Sequence, residues 1–183
     1  TTLVHDMMDV LRIESGITTS KKEQVSTKTL LKTIIDSVEV PAKQKKLTLE
    51  SPDFEDYIIE TDSLLLRNIL DVFVSNAINY SHPDSKIILG VKKDPAAFIF
   101  FVQDFGIGIP KDERVRMFER FYRASNAKVF DTRGTGLGLY IASVLARKIN
   151  ATLSLESEEG VGSTFYVRIP YPQEPLPENA TRV

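Results

Sequence analysis

Arg133-Gly134-Thr135-Gly136-Leu137-Gly138-Leu139-Tyr140-Ile141-Ala142 sets three glycines at alternate positions and runs straight into an amphipathic pattern. Leu139, Ala142, Leu145, Ala146 and Ile149 follow at the spacing of one helical face. A glycine run that opens a helix lets backbone N–H groups approach and hold an anion, helped by the positive end of the helix dipole. The stretch reads as a phosphate cradle, although glycine runs before helices also serve simply as turns. Two familiar cradles fail on context. The dinucleotide fingerprint needs Gly-x-Gly-x-x-Gly after a buried strand, with an acidic residue about 20 positions on. Glu156 stands near that distance from Gly136, but Leu139 occupies the third glycine position and the polar stretch 127–133 precedes. The Gly-Lys-Ser/Thr of a P-loop is absent.

Composition narrows the remaining classes. The chain has 183 residues, 42% of them hydrophobic, enough for one domain with a real core. A net charge of −2 gives no broad electrostatic footprint for nucleic acid or an anionic membrane. With no cysteine there are no disulfides, thiolate metal sites or cysteine nucleophile, and two histidines, His5 and His82, make a multi-histidine metal site a poor expectation. No apolar run reaches the roughly 18 residues of a membrane span, and no signal peptide opens the sequence. The expectation is a soluble cytoplasmic domain, in which the sequon Asn179-Ala180-Thr181 is chance.

Working outward from the glycines, periodicity predicts a helix over 1–15, ended by Gly16, with the look of the tail of a longer helix. Val25 suits a short strand. A helix over 27–45 buries Leu30, Leu31, Ile34, Ile35 and Val38. Short alternating runs at 47–50 and 57–60 read as strands around the turn Ser51-Pro52-Asp53. A long helix runs from Asp62 as its N-cap to Tyr80, stopped by His82-Pro83. The runs 86–92 and 97–103 form a hairpin around Asp94-Pro95, a short helix stands near 111–118, and 152–157 pairs with 164–169. The end, from about residue 170, reads as a tail or linker. Five or six strands and three substantial helices predict an α/β (α+β) two-layer sandwich, a mostly antiparallel sheet with the helices on one face.

Four blocks along this frame carry chemistry. Asn76 shares a face of the long helix with Tyr80, and its amide oxygen suits Mg²⁺, which takes oxygen ligands; a solvated polar position is the plainer alternative. Asp104-Phe105-Gly106-Ile107-Gly108-Ile109-Pro110 sits at a strand end, where a carboxylate can accept from an exocyclic amine and glycines leave room for a flat ring. A glycine turn begun by aspartate is the alternative there. Met117-Phe118-Glu119-Arg120-Phe121-Tyr122-Arg123 offers aromatic anchors and guanidinium forks for phosphate, or a surface loop pinned by aromatics. The fourth block is 134–139, and Gly160-Val161-Gly162-Ser163-Thr164-Phe165 makes a last turn between strands.

In this order the blocks resemble the catalytic ATP-binding domain of sensor histidine kinases in two-component systems, within the GHKL ATPase superfamily and its Bergerat-type fold. The likeness covers roughly residues 20–170. The stretch 66–81 is similar to the asparagine box, 104–108 to the first glycine box, 118–123 to the phenylalanine box and 134–139 to the second glycine box. Leu11-Arg12-Ile13-Glu14-Ser15-Gly16 resembles the end of a dimerisation hairpin. Residues 1–16 are accordingly expected to close that hairpin, 17–170 to form the ATP-binding domain and 171–183 a flexible tail.

The resemblance implies roles. Asn76 would hold the Mg²⁺ that bridges the phosphates, with Asn79 and Tyr80 beside the nucleotide. Asp104 would receive the adenine amino group, Gly106 and Gly108 would flank the ring, and Thr164 would assist through water. Tyr122 and Arg123 would reach the nucleotide, Arg123 at the terminal phosphate. Gly134, Thr135, Gly136, Leu137, Gly138 and Leu139 would cradle the triphosphate and hinge a lid over 119–133. ATP and Mg²⁺ are the implied cofactors, and a response regulator receiver domain the implied partner. The protein would be a homodimer through the N-terminal hairpin, as the cytoplasmic part of a membrane-anchored sensor or free in the cytoplasm.

Three departures mark this chain. Val72 stands where the family has asparagine or a glutamate base, and neighbouring Asp71 is turned about 100° round the helix. Asn79 stands where the kinases usually have lysine. His5-Asp6 imitates the start of a phosphoacceptor motif that Met7-Met8-Asp9 then breaks, so the acceptor histidine is expected upstream of residue 1. Two other readings stay open: a degenerate nucleotide-binding module with poor transfer, and a hydrolytic ATPase of the same superfamily.

Overall fold

The computed structural model describes residues 20–130 and 134–171. The helix expected over 1–15, His5 and the tail beyond residue 171 lie outside the described residues, as does Arg133. Strand β1 (Glu23–Ser26) leads into α1 (Thr27–Gln44), capped by the Ser26 hydroxyl, which accepts from the Thr29 N–H. Next come β2 (Thr48–Glu50), β3 (Ile58–Thr61) and α2 (Ser63–Tyr80). Asp62 caps α2 as the sequence predicts, its carboxylate accepting from the Leu65 N–H at 2.9 Å.

The hairpin of β4 (Lys86–Lys93) and β5 (Ala97–Asp104) forms as expected, with Asp94 accepting the Ala96 and Ala97 N–H groups at its turn. A 3₁₀ turn at Lys111–Arg116 precedes the short α3 (Ser125–Phe130) and then α4 (Gly138–Lys148). Finally β6 (Thr152–Glu158) pairs antiparallel with β7 (Gly162–Pro170), again as expected.

The five-stranded sheet has the order β2-β4-β5-β7-β6, antiparallel except for the β2–β4 edge. Alternation along the strands fixes one face as the core: Leu89, Phe100, Val102 and Val167 are fully buried there. The helices cover this face, and Phe73 of α2 meets Phe165 of β7 at 5.2 Å between ring centroids. Ile34, Leu66, Ile69 and Leu70 complete the contact between layers. The predicted two-layer sandwich is what the structure shows.

One local expectation is corrected. The runs at 47–50 and 57–60 do not flank a common turn: β2 joins the main sheet beside β4, and β3 pairs with β1 as a separate ribbon. The cause is Asp56. Its carboxylate accepts from the Ser26 hydroxyl, the Thr27 hydroxyl and the Lys28 N–H, tying the intervening segment to the start of α1. That network also holds the Asp56 carboxyl below the usual range, first through the Lys28 N–H. At the other end Tyr171, read from sequence as the first tail residue, is docked. Its hydroxyl donates to the Asp94 carbonyl at 2.7 Å and its ring meets Phe98 edge-on.

Candidate nucleotide pocket

A cavity of 880 Å³ opens between α2, the end of β5, the loop after it and the glycine-led start of α4. Its position follows from the fold. α2 presents one flank of Asn68, Asp71, Val72, Ser75, Asn76 and Asn79, while its opposite face is apolar and sealed on the sheet.

The structure brings most of the sequence-predicted residues to this cavity. Asn76, Asn79, Tyr80, Asp104, Gly108, Tyr122 and Arg123 all line it. Gly134, Thr135, Gly136, Gly138 and Leu139 form the wall at the start of α4.

Asp104 is 5% exposed and accepts the Gly106 N–H at 3.0 Å and the Ser163 N–H at 3.3 Å, both on Oδ1. Two backbone donors orient the carboxylate and leave Oδ2 to accept from a ligand. Burial pushes its pKa up to about 6, against the opposing pull of those two N–H groups.

Three predicted residues are placed differently. Gly106 does not line the cavity: a Cβ there would lie 2.1 Å from the Tyr80 carbonyl oxygen, so glycine serves to let the loop lie directly on the end of α2. Leu137 is buried at 2% exposure, and its carbonyl accepts the Ile141 N–H in the first turn of α4. Thr164 stands on the outer face of β7, opposite Gln103 and Glu156. Strand parity decides this last correction: Phe165, Val167 and Ile169 face the core, which puts Ser163, not Thr164, on the cavity wall.

Among residues the sequence reading missed, Ser163 is the clearest, since the same alternation was present in the sequence. Its hydroxyl pairs with that of Ser157 at 2.9 Å, and Ser157 accepts the Ile109 N–H at 2.8 Å, pinning the loop after β5. Ala124 and Ala127 also line the cavity. Nothing in their chemistry marks them beforehand.

At the other end the departures acquire a physical context. Val72 packs beneath the first residue of α4, its Cγ1 3.4 Å from where a Cβ of Gly138 would stand. Asp71 does line the cavity, because the wall wraps widely round α2. It pairs with Arg67 at 3.5 Å, and burial raises its pKa despite that partner. Asn79 offers its backbone carbonyl to Lys45, whose ammonium also reaches the Ile78 carbonyl and so caps the end of α2. Arg123 lies flat against Gly134, within 3.1 Å of a Cβ built there, and donates to the Ala127 carbonyl at 3.2 Å.

Comparison with known proteins agrees with this geometry. Residues 61–173, well over half of the chain, match the family described as "Histidine kinase-, DNA gyrase B-, and HSP90-like ATPase". The sensor histidine kinase WalK of Bacillus subtilis is 29% identical over 94% of this chain and 28% of its own length. The sensor-like histidine kinase SenX3 of Mycolicibacterium smegmatis is 30% identical over 97% of this chain and 46% of its own. The chain thus spans less than half the length of these curated relatives. The structure of full-length ShkA in complex with AMPPNP superposes with a TM-score of 0.80 at 25% identity, covering 98% of this chain and 37% of that one. The chain belongs to the histidine kinase-, DNA gyrase B- and HSP90-like ATPase family, as a catalytic ATP-binding domain of the histidine kinase kind.

Proposed function

We propose that this chain binds Mg-ATP in the cavity along α2 and presents the γ-phosphate to a histidine on a dimerisation hairpin, from which a response regulator aspartate receives it. The observation that carries the reading is Asp104: a buried carboxylate, oriented by two backbone donors, with acceptor capacity left over at one end of an 880 Å³ cavity. An exocyclic amine such as that of adenine satisfies it; a base with a carbonyl there would face a carboxylate and be rejected.

The residues present fit a triphosphate. Gly134, Gly136 and Gly138 bring backbone close to the cavity at the positive end of the 11-residue helix α4. Positive φ at Gly136, with a Cβ there only 2.7 Å from the Phe121 backbone, makes glycine necessary at that turn. They also fit Mg²⁺ in a sparing way. The Asn76 amide and the Asp71 carboxylate are oxygen donors on the α2 wall, and Mg²⁺ needs few protein ligands when phosphates and water supply the rest. Bound there, the ion would neutralise charge on the phosphates.

The chain's own part in the reaction is positioning. Asp104 fixes the base, Arg123 stands at the phosphate side, and the apolar walls from Ile109, Met117, Leu139 and Phe165 exclude water. The γ-phosphorus exchanges its bond to the ADP oxygen for one to the acceptor imidazole nitrogen, which gives up its proton. Val72 offers no base to activate water, so hydrolysis is the weaker outcome.

The same valine favours a second reading, a nucleotide-binding module with poor transfer. We place the domain in the cytoplasm, where ATP and a response regulator would be met; among its described residues no helix is long and apolar enough to cross a membrane. Calorimetric titration with a non-hydrolysable ATP analogue, with and without Mg²⁺, tests the site. Binding that tightens with Mg²⁺ and is lost in Asp104→Ala supports it, and no binding removes it. Transfer of labelled phosphate in a longer chain bearing the hairpin separates kinase from module.

A further inference from the structure

Asn126, the second residue of α3, joins two walls of the cavity. Its Nδ2 donates to the Gly108 carbonyl at 3.0 Å and to the Ile107 carbonyl at 3.4 Å. Both partners are backbone acceptors, so only the amide nitrogen can face them, and the orientation of the side chain is fixed by chemistry. Its Oδ1 is buried with no hydrogen-bond partner. A buried acceptor left unpaired is a cost that a merely local contact would not justify.

The placement explains what that contact holds. Ile107, Gly108 and Ile109 line the cavity beside Asp104, while Arg123, Ala124 and Ala127 line it from the α3 side. α3 is a six-residue helix, too short to stand by its own hydrogen bonds. Glu113 secures its first turn, accepting the Ser125 N–H at 2.8 Å, the Ser125 hydroxyl at 2.6 Å and the Tyr122 hydroxyl at 3.0 Å. That anchor fixes α3 to the 3₁₀ turn, not to the base loop. Asn126 makes the link to the base loop, eighteen residues upstream at Gly108.

We propose that Asn126 is a positioning residue for nucleotide binding, tying α3 to the Ile107–Gly108 loop so that the base wall and the Arg123 wall keep one separation. The inference rests on the nucleotide reading of this cavity. It requires a donor at residue 126, not merely a side chain of that size. It also makes the two ends of the cavity interdependent, since releasing α3 alters the wall opposite the base.

The test uses the described chain with a non-hydrolysable ATP analogue. Asn126→Leu keeps the approximate size and helix propensity and removes both the donor and the unpaired acceptor, without setting a charge against the two carbonyls. Analogue affinity is expected to fall about tenfold, the scale of one lost positioned hydrogen-bonding group, with a melting temperature close to the parent's. Asn126→Gln, which restores an amide donor, is expected to recover most of the affinity. A Leu variant that binds like the parent, or a Gln variant as weak as the Leu one, overturns the tether. Failure of the unmutated chain to bind the analogue instead overturns the nucleotide reading. Should the variants not fold, the Asn126 side-chain amide protons of the unmutated chain decide: slowed exchange with solvent supports the tether, and exchange at the rate of a free amide overturns it.

Discussion

The two ends of the cavity are built to different tolerances. At the end we assign to the base, backbone lies on backbone: added Cβ atoms at Gly106, Gly108 and Gly162 would stand 2.1, 1.9 and 2.2 Å from carbonyl oxygens of Tyr80, Glu158 and Asp104. At the end we assign to the phosphates only Gly136 meets backbone, 2.7 Å from Phe121, while the close neighbours of Gly134 and Gly138 are side chains, Arg123 and Val72, at 3.1 and 3.4 Å. Val72 and Asn79, the two helix positions at which the sequence departs from the resemblance, both fall there. Where three strands, a loop and a helix end interlock, a substitution strains the whole sheet. Where side chains meet side chains, the chain can exchange one chemistry for another and keep its fold.

The largest expected effect follows from that contrast. Gly108→Ala must place a methyl group against the Glu158 carbonyl and adopt φ +60, and should cost about 3 kcal/mol or more in denaturant unfolding. Gly160→Ala shares the positive φ, +79, but meets nothing within 4 Å, and should cost only about 1 kcal/mol. Equal losses in the two variants would show that backbone interlock is not what stiffens the base end.

Asp104→Ala comes next. It removes the acceptor proposed for the base amine and strands the N–H groups of Gly106 and Ser163. Analogue affinity should fall about a hundredfold, the range for a hydrogen bond to a charged group, while Asn76→Ala should mainly reduce the gain conferred by Mg²⁺. Both are read by calorimetry.

Protonation of the same carboxylate gives a third, smaller handle. Its folded pKa of about 6 lies above the ordinary aspartate value of 3.8. Between those values the native state holds a proton that the unfolded state has released, so stability falls as pH rises through the window, by about 3 kcal/mol at most. A base amine prefers the charged carboxylate and pulls the proton off. Analogue binding near pH 6 should release a proton, seen as a binding enthalpy that varies with the ionisation heat of the buffer, and should weaken below that pH. An enthalpy independent of the buffer would mean Asp104 does not meet the base.

The fold was largely legible because its signals are local. The Asp62 cap, the Asp94-Pro95 turn and the 3.6-residue period of α1 and α2 act within a few residues. The separation of β2 from β3 was not legible, since β2 finds its partner in the later strand β4 and Asp56 ties the segment before β3 thirty residues back to Ser26. In the site, acidic and glycine positions stood out by type. Ser163 reaches the site in place of Thr164 because the parity of β7 turns it inward, a signal carried by the strand's alternation and not by the motif's residue types. Ala124, Ala127 and the Asn126 link carry no type-specific signal and depend on how α3 folds back on the loop.

The smallest expected effect lies at the permissive end. Asn79 is exposed on the cavity rim, one turn from Ser75 and Asn76, and its backbone carbonyl is already held by Lys45. Asn79→Lys therefore adds a cation without disturbing the end of α2. At an exposed site that charge is worth a few tenths to about 1 kcal/mol, so analogue affinity should rise about threefold at low salt. The gain should fade as ionic strength approaches the physiological range and the screening length shortens. Val72→Asn should raise the Mg²⁺-dependent part of binding by a similar factor, with a modest stability loss because the valine packs under Gly138. If both substitutions leave affinity and Mg²⁺ dependence unchanged, the phosphates do not lie along this stretch of α2, and the two ends differ in more than tolerance.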